Sequence, residues 1–178
     1  MLDRHKYTET EVDKILNSMV ILVDSREKQG SDHIIAYFDR HHVPYKKMGL
    51  PCGDYSFMLP ADPELGIERD KYFYDDIFIE RKNSAEELSG CFTKTRSRFE
   101  EEFASAKAKY KYLLIEKTDY PQIVEGNYNT DYGSKSFVGS IHSFNSRYDL
   151  QIVFMPDINY TPVYIIGTFR YYLRNLLK

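Results

Sequence analysis

Apolar positions along the chain follow two periods, and the changes of period mark out the elements. Thr8 and Glu11 have the spacing of a capping box, and Val12, Ile15, Leu16 and Met19 form one stripe, so residues 8–19 read as a helix. Val20-Ile21-Leu22-Val23 is a continuous apolar run of strand length that delivers Asp24-Ser25-Arg26-Glu27 at its end. From Ser31, the residues Ile34, Ile35, Tyr37 and Phe38 alternate with charges in helical spacing as far as His41-His42, and Pro44 ends that run. Further strands are expected over 45–50, 54–59, 76–82, 112–116 and 150–155. The stretch 60–75, with two prolines, a glycine and many charges, reads as an exposed hairpin loop. Helices are expected over 84–92, 95–110 and 160–177, and around Phe137, Ile141 and Phe144, after a loop rich in Asn, Gly and Tyr between Gly126 and Gly133. Strands alternating with helices around an antiparallel meander predict an α/β sandwich, a mixed central β-sheet flanked by helices.

Composition narrows this picture. A chain of 178 residues, 42% apolar and 29% charged, fits one globular domain with a proper core. The 16 Tyr and 11 Phe leave two uses open, stacking on bases and filling a core, and core filling is the expected one. A net charge of −3 argues against gripping nucleic acid by bulk electrostatics, so any such contact must come from a local patch or a partner. Cys52 and Cys91 offer neither a disulfide framework nor metal-ligand spacing and read as reduced thiols. No secretory h-region and no run of membrane-spanning length is present, so a soluble intracellular protein with no membrane partner is expected.

The candidate chemistry sits at strand ends. Glu80 and Lys82 are two apart on a strand and project from one face, with Arg81 on the other. A buried strand that ends in three charges either emerges into solvent or meets partners at a site, because burying unpaired charge is costly. Gly53-Asp54 opens the preceding strand, and a hairpin would bring Asp54 beside Glu80. Two carboxylates suit a hard cation such as Mg²⁺, which polarises a phosphodiester and acidifies its water. A lysine beside them can orient or deprotonate that water and offset developing charge. A D…E-x-K pattern is loose by itself, equally compatible with a turn followed by a solvated strand end.

The flanking residues make it specific. Val23-Asp24-Ser25-Arg26-Glu27, Gly53-Asp54-Tyr55 and Ile79-Glu80-Arg81-Lys82 occur in that order, followed by Arg96 and Arg98. This resembles the nuclease domain of the XPF-type (ERCC4-domain) structure-specific endonucleases of the PD-(D/E)XK superfamily, whose pattern is V-D-x-R-E, G-D-Y and E-R-K-x-x-x-D. The likeness runs from about Val20 to Leu177 and includes the Leu-Leu-Ile-Glu strand. It implies a restriction-endonuclease-like three-layer sandwich, with residues 1–19 as an N-terminal helical extension and 20–178 as the nuclease domain.

By this resemblance, Asp54 and Glu80 match metal-binding carboxylates, Lys82 the catalytic lysine and Asp24 an acidic residue supporting the metal. Arg26 and Glu27 match the pair flanking the active site, and Arg81 the middle arginine that matters for activity or its geometry. The expected cofactor is Mg²⁺, with Mn²⁺ as a substitute. The expected reaction is hydrolysis of branched, flapped or otherwise structured DNA, including single-strand/double-strand junctions, in repair or recombination. A catalytically silent DNA-binding or scaffolding subunit is the alternative, although such subunits typically lose the residues retained here. Dimerisation through the nuclease domain, with itself or a relative, is also implied.

Two departures stand out. Glu86 occupies the place of the family's Asp, one methylene longer, and the segment 60–75 lengthens the gap between Asp54 and Glu80. The chain ends at Lys178 with no tandem helix-hairpin-helix module, a format expected of a phage, prophage or bacterial version with a partner supplying that module. Its compartment would be the cytoplasm of a bacterial or phage-infected cell, or the nucleus in a eukaryote.

Between Arg81 and Lys117 there are nine Lys/Arg against six Glu, a modest basic strip in an acidic chain. Lys94, Arg96 and Arg98 are the candidate phosphate contacts, the alternative being a helix face with i, i+4 pairing such as Arg98 with Glu102. Tyr128, Tyr132 and Lys135 sit in a loop that could touch a strand. His41-His42 reads as a helix end. Tyr171, Tyr172, Leu173, Leu176 and Leu177 form an apolar C-terminal face for core packing, part of it available to a dimer.

Overall fold

A computed structural model describes residues 6–27 and 30–178. The N-terminal helix α1 (Glu9–Ser18) opens with the expected box: Glu11 N–H donates to Thr8 Oγ1 and the Glu11 carboxylate accepts from Thr8 N–H. The strands are β1 (Val20–Asp24), β2 (Tyr45–Met48), β3 (Tyr55–Leu59), β4 (Lys71–Tyr72), β5 (Ile77–Lys82), β6 (Tyr110–Glu116) and β7 (Leu150–Met155). The remaining helices are α2 (Asp32–Arg40), α3 (Ala85–Thr93), α4 (Arg96–Ser105), α5 (Tyr120–Glu125), α6 (Ser134–Tyr148) and α7 (Thr161–Leu176).

The sheet runs β2-β1-β3-β5-β6-β7, with β4 paired to β3. β1 pairs with β2 in parallel and with β3 antiparallel; β3–β5 is antiparallel, and β5–β6–β7 are parallel. The parallel pairs need crossovers, and helices supply them. On one face lie α1, α2 and α7, through Ile15, Leu16, Ile34, Phe38, Ile165, Phe169 and Leu173. On the other lie α3 to α6, through Leu88, Phe92, Phe99, Phe103, Ile123, Phe137, Ile141 and Phe144. This is the expected mixed three-layer sandwich. The aromatic residues mostly fill these layers: Phe92, Phe99, Phe103, Phe137 and Phe144 pack against one another, largely edge to face. Among the described residues no helix is long and apolar enough to cross a membrane.

Three expectations are corrected. The segment 60–75 is not simply an exposed loop. It folds into a 3-10 turn at Pro63–Leu65, then β4, and buries Leu65, Ile67 and Phe73, with Phe73 stacked on Phe57 at 4.3 Å. Its charges occupy the turn and hide this apolar half from a reading of composition. The helix expected over 95–110 stops at Ser105, because Ala106 turns extended and Tyr110 already belongs to β6. An unanticipated helix, α5, is closed by a capping box between Asp119 and Gln122 and ended by Gly126 at φ +77°.

Candidate functional site

The hairpin geometry brings the two separated motifs together. Tyr55 pairs with Ile79, and Asp54 N–H donates to Ile79 O at 2.9 Å, so Asp54 and Glu80 come side by side on one face of the sheet. Gly53 makes this approach possible. It sits at φ +70°, and a Cβ there would lie 2.3 Å from the Phe78 ring. Asp24 N–H donates to Asp54 O at 2.8 Å, which ties the first motif to the second.

These residues line a cleft together with Arg26, Lys82, Cys91, Arg98, Phe99, Glu101 and Glu102. None of Glu80, Arg81 and Lys82 emerges into solvent; all three are buried with partners. Lys82 Nζ lies 2.5 Å from Glu80 Oε1 and 5.0 Å from the centre of the Phe99 ring. Asp54 Oδ2 accepts from Arg81 N–H at 2.7 Å. Burial, then the charge of Glu27, pushes the Asp54 carboxyl up to about 7. Burial, then Asp54, holds Glu80 well above the usual carboxylate range. Burial would lower the Lys82 ammonium, but Glu80, together with Cys91 and Asp54, outweighs it and raises the group. Two acids crowded in a dry cleft call for positive charge beyond the one lysine.

Among the described residues, no three His, Cys, Asp or Glu side chains are grouped closely enough to hold a metal by themselves. The donors that do converge, two hard carboxylates, fit Mg²⁺, which keeps several waters and needs one or two protein carboxylates. Asp24 is differently engaged. Its Oδ1 accepts from Arg26 N–H, and Arg26 Nε and Nη2 lie 2.8 and 2.6 Å from its Oδ2. Arg26 also donates to Leu50 O, while its side chain stays 67% exposed at the rim.

Arg81 points to the opposite face, as strand alternation requires, and there it meets Glu27 at 2.6 Å and Glu116 at 2.6 Å. Glu27 therefore sits behind the cleft and not in it. Glu86 also lies outside: it accepts from Asn129 N–H at 3.0 Å, which keeps its carboxyl below the usual range. Its neighbour Glu87, itself exposed, accepts from Asn83 N–H and stands 3.9 Å from Lys82 Nζ.

Of the three candidate phosphate contacts, Arg98 lines the cleft and Lys94 is exposed at the end of α3. Arg96 is committed internally, to Glu100 at 3.0 Å, to Ser140 and over the Phe144 ring. The i, i+4 pair on α4 is thus Arg96–Glu100. The loop tyrosines are also engaged, Tyr128 with Tyr132 O and Tyr132 with Ser140, both packed on Phe137. The roles of Phe99, Glu101 and Glu102 as cleft walls were not legible, because a helical period does not say which face meets a cleft.

A mixed sheet whose antiparallel and parallel halves meet at an Asp, Glu and Lys constellation has the architecture of the restriction-endonuclease-like nuclease core. The chain belongs to the ERCC4 domain family, whose profile matches residues 23–166. XPF from Aeropyrum pernix shares the fold at 18% identity, with a TM-score of 0.60 over 85% of this chain and 65% of that one. XPF from Aeropyrum pernix in complex with DNA does so at 17% identity, with a TM-score of 0.62 over 88% and 66%. The chain spans about two thirds of the chain in each of these two structures. No curated protein matches in sequence.

Proposed function

We propose that this chain is a Mg²⁺-dependent endodeoxyribonuclease that hydrolyses phosphodiester bonds in branched or flapped DNA. The observation that carries the reading is the convergence of Asp54, Glu80 and Lys82 on one cleft wall, a half-buried acid, a buried acid and one ammonium. Asp54 and Glu80 would hold the cation, with Mn²⁺ able to replace Mg²⁺. When bound, the metal supplies Lewis acidity to the phosphate and an acidified water. Lys82, kept protonated by Glu80, orients that water and neutralises charge on the phosphorane as a donor, not as a base. Arg26, paired with Asp24 and exposed at the rim, would contact a phosphate oxygen, and Asp24 would support the metal site beside Asp54 and Glu80. Arg98 and Lys94 take flanking phosphates, and Arg81 holds Asp54 through its backbone.

A dimer completes the proposal. Val163, Tyr171 and Leu176 are exposed on the outer side of α7, along a groove shared with Tyr110 and Tyr112 of β6. This apolar face suits a second copy or a related subunit.

The test incubates the protein with labelled flap, fork and four-way-junction DNA in Mg²⁺, Mn²⁺ or EDTA, with Asp54→Asn and Lys82→Ala as controls. Metal-dependent cutting abolished by both substitutions is expected. Cutting that survives both removes the site assignment, and tight binding with no cutting supports a scaffolding subunit.

A further inference from the structure

The face of β5 turned away from the cleft carries a second polar cluster, and its centre lies outside the Asp-x-Arg-Glu, Gly-Asp-Tyr and Glu-Arg-Lys motifs. Glu116, the last residue of β6, is 0% exposed. Its Oε1 accepts from Thr161 Oγ1 at 2.5 Å and lies 2.8 Å from His33 Nε2, while its Oε2 accepts from Arg81 Nη2 at 2.6 Å. The three partners come from the start of α7, the first turn of α2, and β5. Burial pushes the carboxyl up, but the bonds from Arg81, Thr161 and His33 outweigh it, and Glu116 remains an anion. An arginine buried as deeply as Arg81 needs such a partner, because an unmatched charge there is strongly destabilising.

Arg81 carries this constraint in two directions. Its side chain donates to Glu27 Oε1 at 2.6 Å and to Gly30 O at 2.7 Å, both in the loop that follows Asp24. Gly30, at φ +68°, is seated so closely that a Cβ would lie 2.6 Å from Asn83 Oδ1. The backbone N–H of Arg81 meanwhile holds Asp54 Oδ2 on the cleft side. Arg81 is thus bonded to Glu116, Glu27 and Gly30 through its guanidinium and to Asp54 through its backbone.

We propose that Glu116 is a positioning residue for the cleft, which it does not line. By fixing Arg81 it sets the orientation of Asp54, Glu27 and Gly30. His33 and Thr161 hold Glu116 in the rotamer that does so. This deepens the nuclease reading and rests on it for its kinetic and metal-affinity arms.

The experiment compares the full chain with Glu116→Gln, Arg81→Lys and their double mutant, and with Ile165→Val, a core truncation elsewhere in α7. Three quantities are measured: Mn²⁺ affinity by calorimetry, kcat and KM on flap DNA, and the ¹H–¹⁵N resonance of the Arg81 amide. Glu116→Gln is expected to lower Mn²⁺ affinity and kcat by about 10- to 100-fold. It should leave KM unchanged, shift the Arg81 amide, and combine non-additively with Arg81→Lys. Ile165→Val should lower Tm and leave all three readouts alone. If Glu116→Gln behaves like Ile165→Val, with Mn²⁺ affinity and the Arg81 amide unmoved, Glu116 only ties helices to the sheet and the proposal is overturned. Should Glu116→Gln fail to fold, Thr161→Val removes one bond to Oε1 and must give a smaller shift in the same direction; no shift overturns the proposal. If the unaltered chain cuts none of the DNAs, the nuclease reading fails by itself, and the Arg81 amide still decides the role of Glu116.

Discussion

Asp54 accepts a hydrogen bond of 2.7 Å from the backbone N–H of Arg81, 27 residues further along the chain. The bond fixes one carboxylate oxygen by main chain, which leaves the other to the cleft. It also places an acid whose pKa burial has raised next to a second raised acid, Glu80. A site of this kind is destabilised by its own charge, and the consequences are measurable.

The first concerns pH. A carboxyl whose folded pKa lies above its unfolded value is protonated longer in the native state, so stability is greatest below the unfolded pKa and declines as pH rises toward the folded one. For Asp54 the window runs from its ordinary 3.8 to about 7. Metal-free protein should lose Tm across it relative to Asp54→Asn, measured by thermal melts at matched ionic strength. Mg²⁺ should bind more tightly with rising pH, because its binding releases protons. A variant that melts in parallel with the unaltered chain would contradict the assignment.

Substituting the motif glycine separates backbone from chemistry. Gly53→Ala forces a side chain into the left-handed region, a cost of about 1–3 kcal/mol, and drives its methyl into Phe78. A lowered urea midpoint together with weakened Mn²⁺ binding is expected, since Asp54 follows directly. Unchanged stability would mean that β3 starts differently.

The two arginines of α4 should part company. Arg98→Ala is expected to weaken DNA binding and to reduce the salt slope of log K by about 1, with Tm unchanged. Arg96→Ala should instead lower Tm, because it breaks contacts to Glu100 and Ser140, and leave the salt slope alone. Fluorescence anisotropy at several salt concentrations distinguishes them.

Glu86 and Glu87 differ in their distance from Lys82, and only Glu87 approaches it. Glu87→Ala, which removes a carboxylate 3.9 Å from Lys82 Nζ and the acceptor for Asn83 N–H, should reduce cleavage. Glu86→Ala should loosen the loop at Asn129 and leave cleavage near that of the unaltered chain. Single-turnover rates on one flap substrate would decide.

The apolar face of α7 gives a prediction about assembly. Tyr171, 69% exposed, becomes a charge in Tyr171→Asp, and sedimentation velocity should then show the dimer dissociating at concentrations where the unaltered chain associates. A chain that is monomeric at all concentrations would remove this face as the interface.

Much of the fold was legible because the strands are apolar runs and the helices keep their period: β1, β7 and α7 lie within a residue or two of where the pattern sets them. The alternation of Glu80, Arg81 and Lys82 follows from the strand repeat alone, and so does the assignment of Arg81 to the far face. Sequence by itself determined the order of the motifs, the class of sheet and the pairing of Asp54 with Glu80 through a hairpin, since these rest on local geometry. Only the tertiary structure decided which charges are partners. Arg26 holds Asp24, Arg96 turns to Glu100, Glu87 stands 3.9 Å from Lys82, and Glu116 reaches Arg81 from 35 residues away. A charged side chain carries no mark of its partner in a linear pattern. The partner is set by where the layers close and which ions must be neutralised once water is gone.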